Sequence, residues 1–350
     1  MNIIKAFIIR NYRFNKPINK SYILFGIVFA IGFAKFLNDK NQKKKNSEIL
    51  KNNDQKNEQN NDQHNDQNND QHNETVNENK IQKIIKPQVQ LQDIKKSQLL
   101  DQIYDQTLRA RDVPEEFKSF ISDEKQLDFL LDEYGMNNEK IQEQLTNHLK
   151  GMRRARGDGN CFYTSFGFQY LRYIFIKSSD QQFEDFIKMV QQLPFSVIHS
   201  DQMYEQNEEM NQIFIDYCQY IRAIDLESRE QEFIKLFSNP EGQFYGLCII
   251  FLRNIIYKLC LEDEETKMVF EVIEMNLQQQ ILTWEFDCEN NQSIINLLSR
   301  KLLIDIILYY VDEDARVLKV QEYKNENEQI LLQVNLLFRP GHYNVAIPNH

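Results

Sequence analysis

An α+β domain behind a long polar extension is the fold class that this 350-residue sequence predicts, on three observations. Apolar residues recur at helical spacing from about residue 90 onward. From about Leu302 the pattern becomes short β-rich runs separated by polar or Pro/Gly turns. The first eighty or so residues hold almost nothing that could fill a core. Helices first and strands last describe a helical N-terminal lobe with a C-terminal antiparallel sheet.

Residues 1–20 form a basic N-terminal segment carrying Lys5, Arg10, Arg13, Lys16 and Lys20. Residues 21–37 follow as an apolar run from Tyr22 to Ala34, extended by Phe36 and Leu37 across Lys35. A membrane span needs roughly 17 to 25 residues, so this run is short for one and makes at most a marginal transmembrane anchor, with Lys20 and Lys35 able to reach toward the headgroups. Its rivals are a cleaved signal peptide, given the basic lead-in and the small residues Gly32 and Ala34, and a mitochondrial address, given no acidic residue before Asp39.

Residues 38–86 are Asn, Gln, Asp, Lys and Glu, with Asn-Asp-Gln-His recurring between Asn61 and Asn73. Such a tract buries too little apolar area to offset its ordering entropy, so a disordered Asn/Gln-rich linker is expected. Residues 87–350 are then one globular domain. Within it, Leu100, Ile103, Tyr104 and Leu108 form a helical stripe; Phe117, Phe120 and Ile121 begin another; Ile141, Leu145 and Leu149 make a third. Phe183, Phe186, Ile187 and Val190 repeat the pattern, and Phe244 to Cys260 is apolar nearly all round, as in a buried helix. Strands are expected over Leu302–Tyr310, Leu318–Tyr323, Gln329–Arg339 and His342–Ile347.

A formal net charge of -11 argues against nucleic acid as a partner, because that affinity comes from Lys and Arg neutralising phosphates. The five cysteines (161, 218, 248, 260 and 288) include no C-x-x-C pair, and no His stands at metal-ligand spacing from them. Reduced thiols, with neither a disulfide framework nor a zinc site, are the expectation.

The chemistry is carried by Arg156-Gly157-Asp158-Gly159-Asn160-Cys161-Phe162-Tyr163-Thr164-Ser165-Phe166-Gly167-Phe168. Gly157 and Gly159 permit positive φ, so residues 157 to 160 read as a loop. Phe162, Phe166 and Tyr170 then recur at i, i+4 and i+8, which starts a buried helix with Cys161 at its N-terminal end. The partial positive charge there favours thiolate over thiol. The N–H groups of that turn and of the loop are candidate donors to an oxyanion.

A nucleophilic thiol needs a base, and six histidines are available. His64 and His72 fall in the polar tract, His350 is the last residue, and His148 and His199 lack an evident orienting partner. His342 opens a strand after the Arg339-Pro340-Gly341 turn, with Asn344 two residues on and therefore on the same face. The expectation is that the Asn344 amide oxygen accepts from Nδ1 of His342 and leaves Nε2 to face the thiol.

At these residues the chain resembles a known family. Asp158-Gly159-Asn160-Cys161-Phe162-Tyr163 with Phe166-Gly167-Phe168 is similar to the catalytic-cysteine motif of the otubain branch of the ovarian-tumour (OTU) cysteine peptidases. Leu337-Phe338-Arg339-Pro340-Gly341-His342-Tyr343-Asn344 is similar to its catalytic-histidine motif. The resemblance implies a papain-like OTU fold over roughly residues 90 to 350. It also implies thiol-dependent hydrolysis of isopeptide bonds in ubiquitin conjugates without a cofactor, and ubiquitin or polyubiquitin as partner. By position, Cys161 would be nucleophile, His342 base and acid, Asn344 the orienting third member and Asp158 a loop-shaping residue beside the oxyanion site. Because ubiquitin is cytosolic and nuclear, an anchored domain would face the cytosol.

Two departures from the motif matter. Gly157 stands where the family usually has Pro, and Asn344 where many relatives carry Asp. A looser loop and a less stabilised imidazolium are the expected consequences, and they motivate an alternative reading as a weak or non-catalytic ubiquitin-binding protein.

Overall fold

A computed structural model describes residues 89–286, 291–312, 315–325 and 330–349, all within one compact unit spanning Lys83–His350. The basic segment, the apolar run 21–37, the polar linker and Cys288 lie outside the described residues.

The chain opens with α1 (Gln98–Gln106), capped by the Ser97 hydroxyl accepting from the Leu100 N–H. A short strand β1 (Lys125–Gln126) leads into α2 (Leu127–Tyr134) and α3 (Glu139–His148). The turn between them takes Met136 and Asn137 through the left-handed region, and the Asn138 side chain caps α3 at Ile141 N–H. β2 (Leu149–Arg153) then delivers the chain to the loop before α4 (Cys161–Ile176).

Four further helices complete the helical layer's first half: α5 (Asp180–Gln191), α6 (Glu208–Ala223), α7 (Leu226–Ser238) and α8 (Phe244–Glu262). A small hairpin, β3 (Val197–His199) with β4 (Gln202–Tyr204), lies between α5 and α6. α9 (Glu264–Val272), α10 (Leu277–Leu282) and α11 (Asn291–Leu302) precede β5 (Ile304–Asp312), β6 (Val317–Tyr323), β7 (Leu332–Arg339) and β8 (His342–Pro348).

The expected α+β order is present, and the sheet itself has a finer structure. Its order is β1-β2-β8-β7-β5-β6, so two strands from before the cysteine helix extend the C-terminal four. All pairings are antiparallel except β5 with β7, which is parallel. The sheet is therefore mixed, because β6 returns to the outer edge of β5 and leaves its inner edge to β7. β5 begins at Ile304, later than expected, because α11 runs to Leu302 and Leu303 turns through the left-handed region.

One helical expectation fails. Phe117, Phe120 and Ile121 lie in a single 3-10 turn, Glu115–Phe117, and an extended segment after it. The backbone there is captured by neighbours: Phe120 N–H donates to Ser238 O, Arg156 N–H to Phe120 O, and Ile121 bridges Ala155. Leu149 likewise begins β2 instead of ending a helix.

α4 and α8 sit at the centre of the main core, and both are apolar almost all round, as central helices must be. Phe162, Phe166 and Tyr170 stack in succession along α4 with centroids 6.2 and 5.8 Å apart. α4 also packs against β7 and β8, which brings the start of the cysteine helix beside the start of the histidine strand. Among the described residues α8 is the one helix long and apolar enough to cross a membrane, but its apolar window is 78 % buried and its place is in the core. A second core cluster joins α2 and α3 to the opposite sheet face through Leu130, Tyr134, Ile141, Leu145, Met152 and Leu337.

Candidate active site

Cys161 is the first residue of α4 and is buried. The loop before it turns on Gly159, whose φ of +82° is a conformation L side chains rarely adopt. A Cβ there would also collide with the carbonyl oxygen of Glu285. Gly157 is different: its φ lies outside the left-handed region, and a Cβ would meet only the Cε1 and Nδ1 atoms of His342 at 4.0 Å, an ordinary contact. The expectation of positive φ at both glycines thus holds for Gly159 alone.

Asp158 lies under this loop, 4 % exposed. Its Oδ1 accepts from the Asn160 N–H at 2.9 Å, and its Oδ2 accepts from the Tyr245 hydroxyl at 3.4 Å. Tyr245 in turn lies 2.8 Å from the Thr164 hydroxyl in the first turn of α4. Burial pushes the Asp158 carboxyl up, while the Asn160 N–H bond and the charges of Arg156, Arg111 and Arg253 oppose it. The Asn160 N–H is thus committed to Asp158.

His342 is the first residue of β8 and Asn344 the third, and their side chains meet on one face as alternation requires. The ring nitrogens are reversed from the expectation: Nε2, not Nδ1, lies 3.0 Å from Asn344 Oδ1. Asn344, fully buried, also has its Oδ1 held by the Ala155 N–H at 2.8 Å, and the Cε1–Nδ1 edge of the imidazole is the one nearest Gly157.

A backbone N–H can only donate, so the Ala155 bond fixes which amide atom is oxygen. An oxygen at that point requires a proton on His342 Nε2, which leaves Nδ1 as the lone-pair nitrogen. Burial lowers the His342 pKa, assisted by the Arg339 and Arg154 charges and opposed by the Asn344 bond and Glu133. In the neutral ring, Nδ1 is the nitrogen left to take a proton.

Several supporting residues escaped the reading of the sequence. Arg253, 1 % exposed in the middle of α8, donates to Asn160 Oδ1 at 2.7 Å, Phe286 O at 2.9 Å and Ile281 O at 2.7 Å, with Gly159 O at 3.4 Å. Its guanidinium lies 4.0 Å from the Tyr163 ring centroid. The available signal was a lone Arg within an apolar helical run, since a buried charge has to be paired.

Glu285 approaches the same loop, bonded to Arg111 Nη2 at 2.6 Å. Burial and the neighbouring Asp158 outweigh that ion pair and push the Glu285 carboxyl up to about 7. Elsewhere, His199 pairs with Gln106 and the His148 ring lies near Tyr309. Cys218, Cys248 and Cys260 are buried thiols, with Cys218 and Cys248 pushed well up by burial. Trp284 is packed against Tyr104 and donates to the Thr107 hydroxyl.

The two glycines differ in what they tolerate. Gly159→Ala should lower the rate of Cys161 alkylation by a small electrophile and reduce thermal stability, whereas Gly157→Ala should leave both near wild type. Glu285 predicts a pH effect. Between about 4.5, the ordinary value, and about 7, the folded chain holds a proton that the unfolded chain has released, so stability falls as pH rises across that window. Melting temperature followed from pH 4.5 to 7.5 should decline less steeply in Glu285→Gln than in wild type.

Residues 114–348 match the family described as Peptidase C65 Otubain. Mouse ubiquitin thioesterase OTUB2 is 25% identical over 210 residues, 59% of this chain and 84% of that protein. Human ubiquitin thioesterase OTUB2 is 24% identical over 207 residues, 58% and 83% respectively. The ovarian tumor domain-containing deubiquitinating enzyme 1 of Arabidopsis thaliana is 38% identical over 73 residues, 20% and 24%. Among solved structures, an h/ceOTUB1-ubiquitin aldehyde-UBC13~Ub complex aligns with a TM-score of 0.49 at 18% identity, covering 72% of this chain and 96% of that one. With a cysteine heading a buried helix, a histidine opening the adjoining strand and a family match that spans both, the chain belongs to the otubain family of OTU peptidases.

Proposed function

We propose that the protein is a thiol-dependent deubiquitinase that hydrolyses isopeptide bonds in ubiquitin conjugates. The observation that carries this reading is the imidazole of His342, held by Asn344 at Nε2 and presenting Nδ1 toward the loop that leads into Cys161. Membership of the otubain family and the names of the OTUB2 and Arabidopsis relatives support ubiquitin as the substrate's modifier.

In this mechanism Nδ1 of His342 takes the thiol proton, and the Cys161 sulfur attacks the isopeptide carbonyl carbon. The developing oxyanion is met by N–H groups at the start of α4, where the helix end favours negative charge. Collapse breaks the C–N bond as His342 returns the proton to the departing lysine amine. Water, deprotonated by His342, then hydrolyses the thioester and regenerates the thiol. Asn344 keeps the imidazole in the required tautomer, and Asp158 shapes the loop through the Asn160 N–H. Asn344 carries no charge, so the imidazolium gains less than a carboxylate would supply, and a modest rate is the consequence.

The reduced domain should cleave ubiquitin chains and form a covalent adduct with a ubiquitin-based electrophilic probe, both lost in Cys161→Ala. A chain that binds ubiquitin but neither cleaves nor labels would instead be a non-catalytic ubiquitin-binding protein, the reading motivated by Gly157 and Asn344. Labelling by a probe built on another modifier, and not by the ubiquitin probe, would reassign the substrate.

For location, the apolar run 21–37 supports an anchor; the basic residues before it are balanced by Lys40 and Lys43 to Lys45 after it, so the cytosolic orientation of the domain rests on ubiquitin as the substrate's modifier. The sequon Asn73-Glu74-Thr75 reports on this. Asn73 should remain unglycosylated in cells; a glycan there would put the domain in the secretory lumen.

A further inference from the structure

The amide of Asn344 makes a third contact, which neither the thiol nor the imidazole explains. Its Nδ2 donates to the hydroxyl of Tyr134 at 2.7 Å. Tyr134 is the last residue of α2, 3 % exposed, and lies outside both sequence motifs. All three bonds agree on one amide orientation. Turning it over would set its NH2 against the Ala155 N–H and against the proton on His342 Nε2.

The Tyr134 hydroxyl is held in place by more than its own packing. Glu133, beside it in the chain, lies 3.0 Å from Arg154 Nη2 and 3.5 Å from Arg339 Nη1. The Arg339 guanidinium is also 5.9 Å from the Tyr134 ring centroid. The end of α2 is thereby tied to the segment before the cysteine loop and to the turn before His342. A hydroxyl can accept or donate, so at this point it accepts from an amide and could equally donate to a carboxylate. An amide in the orienting position needs such an acceptor, because a buried unpaired NH2 would be costly.

We infer that Tyr134 is a positioning residue for His342, acting through Asn344: its hydroxyl holds the amide that selects the imidazole tautomer with Nδ1 free. The inference rests on the proposed roles of Cys161 and His342. It also accounts for how this chain keeps Asn at 344, since the second amide proton has a built partner.

The test is Tyr134→Phe in the full chain, which keeps the ring and removes only the hydroxyl. Iodoacetamide alkylation of Cys161, followed by mass spectrometry from pH 4 to 9, reads the thiol–imidazole pair without ubiquitin. The charged groups that face the imidazole, Arg339, Arg154 and Glu133, are unchanged in the variant. Alkylation near pH 7 should fall about tenfold, the scale of one lost buried hydrogen bond, with its acidic inflection displaced. With a ubiquitin substrate kcat should fall by a similar factor and KM should stay within about twofold.

In an Asn344→Asp background the hydroxyl donates to the carboxylate instead of accepting from the amide, so Tyr134→Phe should depress kcat relative to Asn344→Asp alone. A packing role alone predicts that Phe behaves as Tyr, so an alkylation profile superimposable on wild type overturns the inference. Should the variant not fold, the wild-type protein decides: side-chain amide protons of Asn344 exchanging as fast in NMR as those of an exposed Asn would overturn it, and slow exchange supports it. Absence of ubiquitin turnover in the wild type, with the alkylation difference present, would refute the substrate and leave the positioning role standing.

Discussion

The bond from the Ala155 N–H to Asn344 Oδ1 is the constraint on which the site depends. It joins the end of β2's segment to the interior of β8, across strands that pair in register just beyond it, with Arg153 opposite Val345. A main-chain donor admits one orientation of the amide. That orientation admits one tautomer of His342, and the tautomer determines which ring nitrogen can act as base. The tautomer of the imidazole is therefore set by a backbone group 189 residues earlier, in the segment that follows β2.

The loop before Cys161 is held by a second, separate arrangement. Asp158 takes the Asn160 N–H from below, Arg253 takes the Asn160 side chain and the Phe286 carbonyl from the central helix, and Glu285 lies against Gly159 with no room for a Cβ. A buried carboxylate, a buried guanidinium and a partly neutral carboxyl balance one another around a loop of four residues. Breaking one partner of such a set leaves the others unpaired in a low-dielectric place, so the loop is held more firmly than its glycines suggest. Gly157, standing where Pro is usual in the family, contributes little to this, because the loop is fixed by its polar contacts and by Gly159.

Much of this was legible beforehand. The helical stripes at Leu100, Ile141 and Phe186, the buried character of Phe244 to Cys260 and the strands near Val317 and His342 follow from spacing, since burial of one face imposes a period on the chain. Phe120 and Ile121 were not legible: their apolar spacing suits a helix, but Phe120 donates its N–H to Ser238 O and accepts from the Arg156 N–H, and Ile121 bridges Ala155. The parallel pairing of β5 with β7 was hidden for a similar reason, because partner choice in a sheet depends on where an intervening strand returns. Arg253 and Tyr134 lay in plain view as residues, yet their partners are distant in sequence, and no local pattern names them.

What the amino-acid sequence determined by itself was the pair of motifs, the helix start at Cys161 and the shared strand face of His342 and Asn344, all of which are consequences of short-range geometry. Only the tertiary structure decided which imidazole nitrogen meets Asn344 and which N–H groups the loop has already spent. It also decided which buried side chains hold Asn344 and Asn160 in place. Those outcomes depend on single donors and acceptors brought together from Ala155, Tyr134, Asp158 and Arg253 by folding, and a hydrogen bond between segments far apart in the chain leaves no periodicity in the sequence to read.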